Sequence, residues 1–193
     1  RADPRIPLSV LVAAAIGLDL IWPILVLTGL ETVRIDPGNT AFTPLAFDNY
    51  PWSHSLLMSL VWGSVAGAIA YPRLRSARAA LIVGLVVVSH WVLDFVTHRP
   101  DMPLWPGGPE LGLGLWNSIP ATLVIEGLLF VAAAHAYRTA FPARDRTGLW
   151  SFLALVGLIA AIWVMGPVSS PPPSVSAIGI VGLAMWLFPL WAG

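Results

Sequence analysis

The chain has 193 residues, of which 57% are hydrophobic and only 10% charged, and its mean hydropathy is +0.79. An ordinary soluble domain carries about 25% charged residues, so this composition excludes a soluble globular protein and indicates an integral membrane protein in contact with the lipid bilayer. The formal net charge is zero and there is no cysteine, which excludes disulfides, thiolate chemistry and the basic patch needed by a nucleic-acid partner.

Six apolar segments follow one another with short connections, and each is close to the about 20 residues that a membrane-spanning helix needs. They cover residues 7–30, 53–71, 79–97, 115–137, 149–166 and 174–191. The sequence therefore predicts an all-α polytopic membrane helix bundle of about six transmembrane helices, formed by residues 1–193 as a single domain. The first segment is longer than a signal-peptide core and should remain as an anchor, and Pro23 within it should kink or end its helix.

The arginines are divided unequally between the two sides of the predicted bundle. Arg34 and Arg99 fall on one side, and the others lie at the N-terminus and in two alternate loops: Arg1, Arg5, Arg73, Arg75, Arg78, Arg138, Arg144 and Arg146. Because cytoplasmic loops carry the excess of basic residues, we expect both termini to be cytoplasmic. The loops at 35–52, 99–114 and 167–173 then face outward, and their Pro and Gly turns are expected to form a cap.

The third apolar segment carries three polar side chains at intervals of four residues, His90, Asp94 and His98. Residues four apart project from the same face of a helix. Ionisable side chains in the hydrocarbon region cost roughly 2.5–3.5 kcal/mol each and usually face a protein interior or a wet cavity. His54 enters the second segment from the same outer side, so we expect imidazoles from two neighbouring helices to converge beneath the outer leaflet.

Neutral imidazole and carboxylate are the ligands that Zn²⁺ and related divalent ions use where thiolates are absent. We expect the metal ligands to be His54, His90 and Asp94, with Zn²⁺ as the preferred ion and Mn²⁺ as the second choice. The alternative is that these side chains are polar contacts between helices, with a role in assembly alone.

Three further ionisable residues are candidates for catalysis. Asp19 in the first segment and Glu126 in the fourth lie at similar depths and could floor an outward-facing cavity, and His98 lies at the outer helix end. We expect Glu126, Asp19 or His98 to act as a catalytic base or to support the metal ligands.

Two short motifs carry a family resemblance: SHSLL at residues 53–57 and SHWVLD at residues 89–94. They resemble motifs of small bacterial inner-membrane proteins described as LexA-regulated, membrane-bound metal-dependent hydrolases. The longer matching blocks are residues 50–58, 89–104 and 112–118. The resemblance implies a multi-pass helical protein of the bacterial inner (cytoplasmic) membrane with a metal centre, in which His54, His90 and Asp94 match the motif positions.

Three functions are compatible with the sequence. The first is a metal-dependent hydrolase whose site opens outward at membrane level, which favours a lipid-linked or amphiphilic phosphoester as substrate. The second is a non-catalytic accessory subunit that joins other membrane-protein subunits in a respiratory or photosynthetic complex, favoured by the small-residue face at Gly179, Gly182 and Ala184. The third is a small transporter, because Asp19 and Glu126 occupy similar depths in a three-plus-three inverted arrangement.

Overall fold

Helix is the dominant structure in the computed structural model, which describes residues 3 and 5–193 and is 67% helical. The helices are α1 (Leu8–Ala15), α2 (Gly17–Leu27), α3 (Pro51–His54), α4 (Leu56–Leu74), α5 (Ala77–Thr97), α6 (Ile119–Ala140), α7 (Arg146–Met165), α8 (Val175–Leu183) and α9 (Leu187–Trp191). Short 3-10 turns lie at Leu115–Asn117, Gly166–Val168 and Ala184–Trp186. The predicted all-α class is confirmed.

Two small antiparallel hairpins lie in segments that the sequence predicts as outer loops. Their strands are β1 (Thr32–Ile35) with β2 (Leu45–Asn49), and β3 (Met102–Pro103) with β4 (Glu110–Leu111). The backbone N–H of Phe42 donates to the carbonyl of Trp116 at 3.0 Å, which ties the first loop to the 3-10 turn before α6. We call residues 29–50 and 99–117 the cap. Its buried side chains share a hydrophobic core with α2, α5 and α8, formed by Trp22, Val26, Val33, Tyr50, Trp91, Met102 and Ile178.

Among the described residues, three helical segments are long and apolar enough to cross a membrane: α5, α6 and α7 with its 3-10 extension, Arg146–Val168. The pair α1 and α2 makes a fourth if it is counted as one span, although its two halves are bent by 52°. The region Val175–Trp191 is apolar but shorter. These segments confirm the membrane character, whereas the count of six spans and the orientation of the termini stay predictions.

The break between α1 and α2 lies at Ile16, whose φ of −104° and ψ of 18° depart from helical values. Helix α2 continues through Pro23 to Leu27, so the proline does not end it and the bend lies seven residues earlier. Ala15 is the last residue of α1, and the carbonyl at a helix end has no partner within its own helix. The break therefore leaves a backbone acceptor beside α5.

Helices α4 and α5 run antiparallel and approach closely through glycine. A Cβ atom at Gly84 would lie 2.7 Å from the carbonyl oxygen of Gly63, and one at Gly63 would lie 2.7 Å from that of Gly84. Small residues let backbones in membrane bundles approach in this way. The tight turn between the two helices passes through Arg75 with a left-handed φ of 47°, and the Ser76 hydroxyl then accepts the Ala79 N–H at 3.2 Å. The contact between Gly63 and Gly84 holds α4 close to α5. Because α4 begins two residues after His54, this contact also helps to set the distance between His54 and His90.

Gly84→Ala is expected to lower the midpoint of thermal unfolding, because the added methyl group meets a backbone oxygen that cannot rotate away. Overpacking of this kind costs about 1–3 kcal/mol. Tryptophan fluorescence of the detergent-solubilised protein would report the midpoint. Gly157→Ala on α7 is the matched control, since among the described residues no atom beyond its own helix backbone and chain neighbours lies within 4 Å of the position of its Cβ. Equal midpoints for the two variants would contradict a tight contact between α4 and α5.

The small-residue face predicted for the last segment packs within the chain. A Cβ at Gly179 would lie 2.6 Å from Leu27 Cγ, and one at Gly182 would lie 2.6 Å from Pro23 Cγ. The face therefore seats α8 against α2, so it is used inside this protein.

Candidate metal centre

Four ionisable side chains from three segments meet beneath the cap: Asp19, His54, His90 and Asp94. His90 and Asp94 are one turn apart on the continuous helix α5, so both project from the same face. His54 is the last residue of the short helix α3, and Asp19 lies in the first turn of α2. The positive end of the helix dipole favours a carboxylate in that position.

The Nε2 atoms of both imidazoles face both carboxylates. His54 Nε2 lies 3.5 Å from Asp19 Oδ1 and 3.8 Å from Asp94 Oδ2, while His90 Nε2 lies 3.6 Å from Asp19 Oδ2 and 3.1 Å from Asp94 Oδ2. Ligand atoms around a tetrahedral ion at about 2.0–2.2 Å are about 3.3–3.6 Å apart. The donor atoms of Asp19, His54 and His90 all lie within 4.8 Å of one another. These three residues therefore have the spacing of a small coordination sphere, and Asp94 adds contacts to both imidazoles.

The other ring nitrogen of His90 forms a hydrogen bond at the break between α1 and α2. His90 Nδ1 lies 2.8 Å from the carbonyl oxygen of Ala15. A carbonyl can only accept, so Nδ1 carries the proton and, in the neutral imidazole, Nε2 is left with a lone pair. The break at Ile16 thus fixes the tautomer that metal coordination through Nε2 requires.

A buried relay of hydrogen bonds from Glu31 through Ser53 to His54 fixes the same tautomer in His54, with the proton on Nδ1. Glu31 is 1% exposed, and its carboxylate accepts the backbone N–H groups of Trp52 at 2.7 Å and Ser53 at 2.8 Å. The Ser53 hydroxyl donates to Glu31 Oε2 at 2.6 Å and lies 2.7 Å from His54 Nδ1. A hydroxyl has one proton, so Ser53 accepts the proton of Nδ1 and leaves Nε2 of His54 free.

Burial raises the pKa of the Glu31 carboxyl, and its hydrogen bonds from Ser53 and Trp52 act in the opposite direction. Three donors face this carboxylate, so the ionised form satisfies every contact in the relay.

The lone pairs of the two imidazoles and the negative charges of the two carboxylates repel one another unless a positive charge lies between them. The side chains of His54, His90 and Asp94 are 6%, 12% and 16% exposed, whereas that of Asp19 is 34% exposed. Charges at such depth need a partner. Either added protons or one divalent cation would neutralise the two carboxylates, and Asp19 marks the open side of the cluster.

His98 lies one turn beyond Asp94, directly after the last residue of α5, and contacts the cap. Its Nδ1 is 3.0 Å from Asp101 Oδ1 and 3.3 Å from the Tyr50 hydroxyl, and its ring packs against Trp116 with centroids 4.4 Å apart. Burial raises the pKa of Tyr50 above its usual range, so the phenol keeps its proton and donates it to Asp101 at 3.1 Å.

Glu126 lies in a separate network between α6, α7 and the cap. Its two carboxylate oxygens accept the indole N–H groups of Trp116 at 2.9 Å and Trp163 at 2.7 Å. The structure thus brings Asp19 together with the predicted ligands His54, His90 and Asp94, and it places Glu126 on a different set of partners. A catalytic role for Glu126 or His98 stays a prediction.

Sequence reasoning missed the groups that orient the imidazoles. Ser53 beside His54 was a visible signal, because a hydroxyl next to a ligand can hold its second nitrogen. Glu31 is a lone acid directly after the first apolar segment and also attracts notice. The role of the Ala15 carbonyl had no signal in the residue types.

Comparison with known proteins identifies a family for the central part of the chain. The family model described as YdjM inner membrane protein matches residues 51–169, which include His54, His90 and Asp94 and leave Asp19 and Glu31 outside. No curated protein and no solved structure matches the chain. Because the match extends over well more than half of the 193 residues, this chain belongs to the YdjM inner membrane protein family.

Proposed function

We propose that the protein is a metal-dependent hydrolase of the inner membrane. In this proposal one divalent ion, Zn²⁺ or Mn²⁺, is held by His54, His90, Asp94 and Asp19. The observation that carries it is the orientation of the two imidazoles. Both Nδ1 atoms are bonded to other groups, so both Nε2 lone pairs point at two carboxylates that only a cation or added protons can neutralise.

The donor set fits such an ion. Two imidazole nitrogens and two carboxylate oxygens are borderline and hard ligands of the kind that Zn²⁺ and Mn²⁺ accept, and a zinc site can expand to five ligands during catalysis. When bound, the ion would act as a Lewis acid that polarises a phosphoryl or carbonyl oxygen. The protein's own part is to hold the imidazoles through Ala15 and Ser53, and to leave the Asp19 side accessible.

His98 is the group we assign to proton transfer. Asp101 holds its Nδ1 at 3.0 Å, an arrangement in which a carboxylate orients an imidazole and stabilises its protonated form. Its Nε2 is then the atom that takes or returns a proton. Tyr50 supports the same carboxylate from the other side.

The position of the cluster favours an amphiphilic substrate. His90 and Asp94 lie on α5, an apolar helix long enough to cross a membrane, and the cap packs at the end of that helix. A phosphoester attached to a lipid or to another long apolar group would reach this depth from within the bilayer.

The test is hydrolysis of a long-chain alkyl 4-methylumbelliferyl phosphodiester by the purified protein in detergent micelles. We expect release of the fluorophore, loss of the activity on chelation, and recovery with Zn²⁺ or Mn²⁺. His54→Ala should be inactive, whereas His135→Ala, which changes an exposed histidine on α6, should retain activity.

A protein that binds the metal without hydrolysing this or a short-chain analogue would overturn the hydrolase proposal and leave the centre with a role in assembly. A folded wild-type protein that binds no metal would overturn both the metal centre and the hydrolase activity, and it would favour an accessory subunit.

A further inference from the structure

An apolar groove of about 640 Å³ lies between α1 and α4. Both helices pack on α5, which forms the floor of the groove. Val10 belongs to the α1 wall, Ala66 and Ala70 to the α4 wall, Val83 to the floor, and Trp186 borders the groove from the C-terminal region. Its volume is within the roughly 300–1,000 Å³ of small-molecule sites.

One end of this groove is basic. Among the described residues that line the groove, Arg73 alone carries a charge, and it lies exposed in the last turn of α4. Arg75 and Arg78 follow within five residues and are also exposed. Helix α4 begins beside His54 and ends at Leu74, so this end lies about 28 Å along the helix from the metal centre.

An apolar groove on a membrane helix bundle with guanidinium groups at one end matches the chemistry of an anionic phospholipid. The groove accepts an acyl chain, and basic residues at the membrane surface attract anionic headgroups. The guanidinium forms paired hydrogen bonds with phosphate oxygens. Neutral phospholipids have the same acyl chains but no net negative charge, so the basic end of the groove should bind the anionic phospholipid in preference.

We propose that this groove binds one anionic phospholipid, with its acyl chain along Val10, Ala66 and Val83 and its phosphate at Arg73. The groove is separate from the cluster of His54 and His90, so the proposal does not depend on a hydrolase function.

Native mass spectrometry of the full chain would test it, after equilibration with phosphatidylglycerol or with phosphatidylcholine of the same acyl chains. We expect the wild type to retain phosphatidylglycerol preferentially and Arg73→Gln to retain about fivefold less, the effect of one arginine near an anionic surface. Arg73→Lys should restore most of the retention, and Arg144→Gln, in the loop between α6 and α7, should leave it unchanged.

Ala66→Phe tests the groove itself, because the ring would occupy the space assigned to the acyl chain. Its retention of phosphatidylglycerol should fall while its thermal unfolding midpoint stays close to that of the wild type. Equal retention of the two lipids by the wild type would overturn the proposal. Equal losses in Arg73→Gln and Arg144→Gln would also overturn it, since they would show a general surface charge effect.

Discussion

His90→Ala is expected to abolish binding of the proposed ion: the wild-type protein should hold about one equivalent of Zn²⁺ per chain and the variant less than about a tenth. His90 Nε2 is 3.1 Å from Asp94 and 3.6 Å from Asp19, so this imidazole contacts both acids of the cluster. Its loss removes one ligand and leaves two carboxylates facing each other across a gap. Elemental analysis after dialysis against a weak chelator would measure the metal content.

His135→Ala is the matched control for this experiment, since it removes an imidazole from an exposed position on α6. Its metal content should equal that of the wild type. If His90→Ala retained its zinc, the ion would be bound elsewhere and the assignment of the centre would be wrong. Asp94→Asn should lose affinity as well, because the amide keeps the shape and removes the negative charge.

Glu31→Gln is expected to weaken Zn²⁺ binding by about 10–100-fold, although Glu31 does not touch the proposed ion. The glutamine amide group would donate to the Ser53 hydroxyl at the place where Glu31 Oε2 now accepts. Ser53 would then turn its own proton towards His54 Nδ1, and the neutral imidazole would carry its proton on Nε2. That proton would lie where the metal is proposed to bind.

Competition with a zinc-binding dye would measure this affinity, and thermal unfolding without metal would check the fold. Glu110→Gln on the exposed strand β4 is the control. Ser53→Ala should weaken binding in the same direction, since His54 would lose the acceptor that fixes its tautomer. An unchanged affinity in both Glu31→Gln and Ser53→Ala would show that the relay does not orient His54.

The helical part of the fold and half of the cluster could be predicted because they follow from local periodicity. The four-residue spacing of His90 and Asp94 determines a shared face on any helix, and the apolar run around it determines the helix. The convergence of His54 required only that α4 and α5 be antiparallel neighbours, which their short connection makes natural.

The rest depends on chain breaks and long-range contacts. Around Ile16 the residue types offer Gly17 as a weak signal for a bend, whereas Pro23, the residue that suggests one more strongly, lies inside α2. The pairing of Glu31 with Ser53 joins two segments separated by the whole β1–β2 hairpin. A similar depth in the membrane did not place Glu126 with Asp19, because the Glu126 carboxylate accepts hydrogen bonds from two indole N–H groups instead.

The distribution of the four ionisable side chains over α2, α3 and α5 has a consequence for biogenesis. Helix α5 has a mean hydropathy of 2.2 over its apolar window, enough to enter the bilayer alone, yet two ionisable groups would then cost roughly 5–7 kcal/mol. That cost falls when the N-terminal helices bring Asp19 and the Ala15 carbonyl to His90. The groups that the side chains of His90 and Asp94 contact lie in α1, α2, α3 and α5 itself. These polar contacts therefore favour packing of the early helices on α5 before any later helix is added.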